Sequence, residues 1–288
     1  MLEIKKEELK KILPSDGPSI DGVKKYLEKY NDEYIVIKCG GSVLVDQSLF
    51  NIFIKDIAVL NKLGLNPIIV HGGGKRINRK LSELNVKSNF INGLRVTDKN
   101  TINIVEEVLI ELNKEINDAL KDQSCKTKRI TSKKNNILTV KLEDYKLGFV
   151  GTPTHIKVNI LKEIIKVNEV PVVAPLGLDE NNQTFNINAD TVAGSIAKEL
   201  KARRLMIISD VEGVLNYEKK LITEINSQKA KELIDQEVIS GGMIPKINNC
   251  LNVAKNGVKG VVIIDGRKNH SILFELLSDK GSGTLIRQ

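Results

Sequence analysis

The sequence contains no tryptophan, and its rings amount to five Tyr and six Phe among 288 residues. So few aromatics exclude a stacking platform for single-stranded nucleic acid, which needs exposed rings along a groove. Cysteine is equally scarce: Cys39, Cys125 and Cys250 lie far apart with no paired spacing. That excludes a disulfide framework or a cysteine zinc site and fits a reducing compartment. The three histidines, His71, His155 and His270, are too separated to suggest a metal set, so no protein-held metal is expected. No apolar run approaches the roughly 20 residues that cross a bilayer, so no membrane partner is expected. The N-terminal MLEIKKEELKK carries Glu3, Glu7 and Glu8 and lacks an apolar stretch, so neither a secretory signal nor a transit peptide is expected. A cytoplasmic protein is expected.

What is present is an ordinary globular balance, 41% hydrophobic and 28% charged, with a formal net charge of +8. The excess is local. Between Lys121 and Lys134 six basic residues face only Asp122, so five of the eight excess charges sit in fourteen residues. Such a run reads first as a solvated loop or hairpin face, and no nucleic-acid partner is expected from it.

Short β-branched runs recur at Tyr34–Lys38, Pro67–Val70, Val170–Ala174, Leu205–Ser209 and Val261–Ile264, apolar enough for a sheet buried on both faces. Helical stretches lie between them at Leu49–Leu63, Thr101–Leu120, Thr191–Lys201 and Pro245–Asn256. In the second of these, Ile102, Val105, Leu109, Leu112, Ile116 and Leu120 recur at three- and four-residue steps, one face of a helix. Alternating strand and helix predicts an α/β fold: a mainly parallel central sheet flanked by helices on both faces, an αβα sandwich. Residues 124–158 depart from the rhythm and predict a β-hairpin excursion. Residues 1–30 form an N-terminal extension with an amphipathic helix. A lobe boundary is expected near Leu176–Asn182, where Gly, Asp and Asn cluster, dividing the body into 31–178 and 179–288.

Ligands of open α/β sheets sit at the carboxyl ends of strands, so the loops there carry the functional reading. The first strand runs into Lys38-Cys39-Gly40-Gly41-Ser42 and the second into His71-Gly72-Gly73-Gly74-Lys75 ahead of a helical pattern. Glycines let backbone N–H groups approach an oxyanion, and a helix N-terminus adds its dipole. Neither turn fits G-x-x-x-x-G-K-[ST] or G-x-G-x-x-G, which sets this chain apart from the common nucleotide-binding loops. Similar polar turns follow at Asn186–Asp190, Ser209–Val214 and Ser240–Lys246. On spacing alone Asp190 reads equally as a helix N-cap, and Lys246 reads as a solvated helix lysine.

Taken together, Val36–Gly41, Val70–Gly74, Asn92–Asp98, Phe185–Asp190, Ser209–Val214 and Ser240–Lys246, with Asp265–Arg267, His270 and Gly281–Thr284, resemble the amino acid kinase superfamily. Within it the combination NGLRV, VHGGG and NINAD resembles the branch that phosphorylates N-acetyl-L-glutamate in arginine biosynthesis. The resemblance implies ATP, chelated by Mg²⁺, as phosphoryl donor and a γ-carboxylate as acceptor. It implies Lys38 and Lys246 as the lysines that touch the transferred group and Asp190 as the residue that organises them. It assigns Gly73, Gly74, Arg95 and Asn186 to the acylated amino acid. It assigns Gly40, Gly41, Ser209, Asp210, Val211, Gly213, Val214, Leu215, Ile239, Ser240, Gly241, Gly242 and Met243 to the nucleotide. The chemistry suits these residue types, because a carboxylate of pKa near 4.3 is already ionised at pH 7 and needs no general base. The task is to bring two anions together, which lysines, glycine N–H groups and a nucleotide-borne metal can do.

The long N-terminus is similar to the extra helix of arginine-inhibited members. It implies an inhibitor site from Tyr26, His270, Glu275, Gly281 and Gly283, allosteric regulation by L-arginine, and a homo-oligomer, a dimer assembled into a hexamer as a trimer of dimers. Members of this branch also suggest a PII-type signalling protein as a partner. Cys125–Asn136 departs from the family by carrying the basic patch in place of a glycine-rich turn. Two alternatives remain from sequence: a kinase for a related acylated acid such as N-acetylaminoadipate, and a non-catalytic amino-acid-sensing relative. Retention of Lys38, Lys246 and Asp190 argues against the second.

Overall fold

The five apolar runs become the core strands Tyr34–Cys39, Asn66–His71, Val170–Val173, Arg204–Ser209 and Val261–Asp265. This is seen in a computed structural model that describes residues 5–279 and 281–288, so that residues 1–4 of the N-terminal extension lie outside the described residues. The strands belong to an eight-stranded sheet whose spatial order is Glu224–Ile225, Gly283–Ile286, Val261–Asp265, Arg204–Ser209, Tyr34–Cys39, Asn66–His71, Val170–Val173 and Thr127–Ile130. All neighbours run parallel except Gly283–Ile286, which is antiparallel to Val261–Asp265. Strand alternation sends Val36, Val70, Ile207 and Ile263 into one apolar cluster and Ile37, Ile69, Ile208 and Ile264 into another. Each face is covered: Ala189–Glu199 and Met243–Lys255 contribute to the first cluster, and Gln47–Lys62 and Ser271–Leu277 to the second. This is the mainly parallel αβα sandwich that the sequence pattern implies.

The helix predicted at Thr101–Leu120 spans Lys99–Asp122, and all six residues of its predicted apolar face are buried. Asp98 starts it by accepting N–H bonds from Asn100 and Thr101. The region 124–158 divides differently from the expected single excursion. Thr127–Ile130 joins the main sheet as its edge strand, parallel to Val170–Val173. Leu138–Leu142 and Gly151–Ile156 form the antiparallel hairpin, in a second sheet with Leu176–Leu178 and Thr184–Asn186. The basic run therefore straddles an exposed sheet edge, where lysines oppose pairing with another chain. Two of its members are tied down: Arg129 donates to Asn113 Oδ1 and the Ile110 carbonyl, and Lys133 pairs with Glu106 at 3.1 Å.

In the N-terminal extension, helices Lys6–Ile12 and Ile20–Tyr30 bury Leu9, Val23, Tyr26 and Tyr30 in the cluster shared with Ser271–Leu277. A polar clasp around the buried His270 reinforces that docking. His270 Nδ1 lies 2.5 Å from Asp56 Oδ1, and its Nε2 lies 3.2 Å from Asp16 Oδ1 of the extension. The Asp56 hydrogen bond raises His270 above the ordinary histidine value, against the effect of burial. Burial pushes the Asp56 carboxyl up to about 6 despite its histidine partner. Both groups bind protons more tightly in the folded chain. Their contribution is full below about pH 4, the lower of the two unfolded values, and declines as pH rises through their raised values. We expect the wild-type Tm to fall from pH 6 to pH 8.5 more steeply than that of the double variant Asp56→Asn/His270→Asn, by roughly 2–4 °C for each kcal/mol of linkage. Parallel Tm–pH curves would contradict this.

Candidate active site

Tyr34–Cys39 and Asn66–His71 are neighbours with Cys39 opposite His71, so their glycine turns emerge side by side. Gly72 N–H donates to the Cys39 carbonyl at 2.7 Å and joins the two turns. With Leu94–Arg95 and Asn186–Asp190 they enclose a cavity of about 230 Å³. Lys38, Gly40, Gly41, Gly73, Gly74, Arg95, Asn186 and Asp190 all line it. Lys246 and the expected nucleotide positions in Ser209–Leu215 and Ile239–Met243 lie outside this lining.

The ambiguity over Asp190 is resolved by its neighbour. Asn188, not Asp190, caps the helix Ala189–Glu199, accepting the N–H groups of Asp190 and Thr191 at 2.9 and 3.1 Å. The Asp190 carboxylate is thereby left for the cavity, where Lys38 Nζ lies 3.1 Å from Oδ1 and Lys246 Nζ 3.6 Å from Oδ2. Burial alone would raise this carboxyl, but the two ammonium groups outweigh it and hold the pKa below the ordinary aspartate value. Oδ1 is nevertheless buried without a partner in hydrogen-bond geometry. The two lysines thus stand beside the carboxylate as ion pairs. Lys246 comes from the first turn of Met243–Lys255, whose start has no side-chain cap.

Arg95 reaches the cavity through a hairpin that its sequence dictates. Asn92 and Gly93 have φ of 50° and 80°, the two-residue Asn-Gly turn that joins Phe90–Ile91 to Leu94–Arg95. Arg95 is buried, 7% exposed, and its guanidinium donates to Asn78 Oδ1 at 2.7 Å and to Ser88 Oγ. The Phe90 ring lies 4.8 Å from Arg95 Cζ. Among the described residues Arg95 has no carboxylate partner. Burial lowers its pKa, the direction of a desolvated cation that wants an anion. Asn186 completes this wall and donates to Thr97 Oγ1 at 3.3 Å.

The remaining strand ends border the first turn from the other half of the sheet. Ser209 closes Arg204–Ser209, and Asp210 accepts from Ser42 N–H at 2.8 Å and from Lys75 Nζ at 2.9 Å. Lys75 also donates to Ser42 Oγ at 2.8 Å, so one lysine ties three segments together. Val211 is exposed and Gly213 turns the chain, whereas Val214 is buried and its N–H donates to Thr284 Oγ1. Leu215 bridges to Leu221. Ile239 is a core residue, 1% exposed, while Ser240, Gly241 and Gly242 precede the helix that Met243 begins. Asn78, Ser88 and Phe90 are neighbours of the site outside the sequence motifs, and Lys75 and Asn188 lie within motifs that give them no role. The Asn-Gly hairpin signal points to Phe90, since it faces Arg95 across that turn.

A second cleft of about 410 Å³ lies at the N-terminal extension, lined by Tyr26, Glu275, Gly281 and Gly283 together with Lys29 and Arg204. Tyr26 donates its hydroxyl to Asp279. Burial raises the Glu275 carboxyl, which accepts from Ser282 N–H at 2.9 Å. His270, grouped with these residues from sequence, lies outside this lining and is held by Asp56 and Asp16. Among the described residues no group of three or more His, Cys, Asp or Glu is placed to hold a metal ion.

Comparison with known proteins places the chain in a family. Residues 33–265 match the model of the amino acid kinase family. The chain is 76% identical over 288 residues, the whole of both chains, to an acetylglutamate kinase of Pelagibacter ubique. It is 45% identical to an acetylglutamate kinase of Campylobacter fetus subsp. fetus, over 91% of this chain and 94% of the relative. Among solved structures it superposes with a TM-score of 0.84 on the N-acetylglutamate synthase of Neisseria gonorrhoeae in complex with coenzyme A and N-acetyl-glutamate. That likeness covers 93% of this chain and 62% of the longer synthase at 21% identity, and bears on the fold alone. The chain therefore belongs to the amino acid kinase family, among its acetylglutamate kinases.

Proposed function

We propose that this protein transfers the γ-phosphoryl group of ATP to the γ-carboxylate of N-acetyl-L-glutamate, giving N-acetyl-L-glutamyl 5-phosphate and ADP as a step of arginine biosynthesis in the cytoplasm. The observation that carries the reading is the buried, acid-free Arg95 in the cavity that the Lys38–Asp190–Lys246 cluster borders. One end of the cavity wants a carboxylate and the other can neutralise a phosphoryl group. The acetylglutamate kinase relatives support the same substrate.

In this reading Arg95 holds the α-carboxylate, with Asn186 and the Gly73 and Gly74 N–H groups around the rest of the acid. The ionised γ-carboxylate attacks the γ-phosphorus as the bond to the β,γ-bridging oxygen breaks, and no proton need be removed. Lys38 approaches the transferred group from the acceptor side and Lys246 from the donor side. Asp190, held below the ordinary aspartate value and so ionised at neutral pH, keeps both ammonium groups in place. Mg²⁺ borne by the nucleotide would share the phosphate charge. Residues 31–178 supply most of the acid-binding wall, and 179–288 supply the Ser209–Leu215 and Ile239–Met243 loops proposed for the nucleotide. Asn186 to Asp190 reach from the second segment to the acid-binding wall of the first. The test is to trap the acyl phosphate with hydroxylamine. Hydroxamate should form with MgATP and N-acetylglutamate and not with glutamate or aspartate; a stronger signal with N-acetylaminoadipate would move the assignment to that longer acid.

L-Arginine is the inhibitor that suits the second cleft. The half-buried Glu275 carboxylate offers a partner for a guanidinium, and Lys29 and Arg204 offer partners for a carboxylate. The extension helix that brings Tyr26 there would also couple the site to a hexamer built from three dimers, and the nucleotide lobe is the proposed contact of a PII-type protein. Removing residues 1–30 is expected to abolish arginine inhibition and leave dimers in sedimentation. Dimers with or without the extension, together with indifference to arginine, would exclude this regulation.

A further inference from the structure

His71 ends the second core strand and is fully buried, so it cannot meet substrate. Its ring is nevertheless tied to the cavity turn. Nδ1 lies 2.9 Å from the carbonyl oxygen of Gly72, and Nε2 lies 3.3 Å from Nδ2 of Asn113. A carbonyl only accepts, so Nδ1 carries the proton in this contact; an amide nitrogen only donates, so Nε2 accepts. Asn113 is itself fixed, since its Nδ2 donates to the Val172 carbonyl at 2.8 Å and its Oδ1 accepts from Arg129 at 3.1 Å. The tautomer is thus imposed by the partners on both sides. A second proton on Nε2 would face another donor, and burial already lowers the ring pKa to about 4.

The consequence lies in the peptide that follows. In a trans peptide the C=O and the next N–H point in opposite directions. With the Gly72 carbonyl drawn to the buried ring, the Gly73 N–H of the same peptide is turned away from that ring, and Gly73 is one of the residues that line the cavity. Gly72 N–H is independently held by the Cys39 carbonyl, so both ends of this peptide segment are fixed. The helix Gly74–Glu83 begins there with no side-chain cap, which leaves its first N–H groups to a ligand.

We propose that His71 is a positioning residue: through its Nδ1–H bond to the Gly72 carbonyl it orients the Gly73 N–H as a preformed donor for the acid substrate. The inference rests on the substrate reading above and adds to it a residue outside the cavity. Two substitutions separate orientation from packing. Asparagine places an amide near the position of Nδ1 and retains the donor to Gly72; glutamine places it near Nε2 and does not.

The expected result is a KM for N-acetylglutamate about tenfold higher in His71→Gln, with the KM for ATP within about twofold of wild type. His71→Asn should return the acid KM to near the wild-type value even though both variants lose thermal stability through the lost ring. Equal KM values in two folded variants, or a parallel rise for acid and ATP, would assign His71 to packing alone. Wild-type protein gives a check that does not depend on a variant folding. In protein labelled with ¹⁵N-histidine, the His71 signals should report a protonated Nδ1 and a bare Nε2 at pH 7. An Nε2–H tautomer would overturn the proposal. Absence of wild-type turnover with N-acetylglutamate would instead reject the substrate reading, and the tautomer measurement would still stand.

Discussion

Lys246→Ala is expected to lower kcat for acyl phosphate formation by roughly 10²–10³-fold while leaving the KM for ATP within about threefold, the range for deleting one preorganised charge donor. Lys246 sits 3.6 Å from Asp190 Oδ2 while Lys38 holds Oδ1, and its charge is oriented before any ligand arrives. Charge that moves onto the transferred group during reaction meets a cation that needs no reorganisation. Interactions made mainly in the transition state appear in kcat and spare KM. The control is nucleotide binding measured by calorimetry on the same variant. A comparable loss of ATP affinity would make Lys246 a ground-state phosphate ligand and remove it from the transition-state account. Lys246→Arg is expected to recover only part of the rate, because a planar guanidinium cannot occupy the place of a compact ammonium group.

Arg95→Ala is expected to act on the other substrate, raising the KM for N-acetylglutamate by about 100-fold with a smaller change in kcat. A charge-assisted bidentate pair to a carboxylate contributes roughly 1.5–3 kcal/mol, and tenfold in affinity corresponds to about 1.4 kcal/mol. Removing Arg95 cannot leave an unpaired acid behind, since among the described residues none is paired with it. The substitution Arg95→Lys would keep the charge but lose the fork that Asn78 and Ser88 orient, so it should restore only part of the acid affinity. A KM for the acid within twofold of wild type in Arg95→Ala would contradict the assignment of the cavity to this substrate.

The sheet was legible because its signal is redundant. Val36, Ile37, Ile69, Ile207 and Ile263 each belong to an apolar run that only a doubly covered strand can use. The edge strand Thr127–Ile130 was not, because a basic run with one buried residue carries no comparable pattern. Its place in the sheet comes from pairing with Val170–Val173, a non-local contact. That the glycine turns and Lys38 gather at one cavity was legible because each turn directly follows a core strand and those strands are neighbours. The role of Asp190 was ambiguous until Asn188 proved to cap the helix, since Asn and Asp serve that function equally well. The positions expected to meet the nucleotide divide in the structure: Ile239 and Val214 are core side chains, while Val211 is exposed. His270 matched a motif, yet its two aspartate partners come from Asp16 and Asp56, distant positions that spacing does not reveal.

The proposed reaction is direct attack of the γ-carboxylate on the γ-phosphorus between Lys38 and Lys246. It is tested most directly by incubating the protein with MgATP and N-acetylglutamate labelled with ¹⁸O in the γ-carboxylate, and recording ³¹P NMR. The account predicts an acyl phosphate whose phosphorus signal shows the isotope shift of one bridging ¹⁸O. ADP formation with unlabelled orthophosphate and no such acyl phosphate would contradict it.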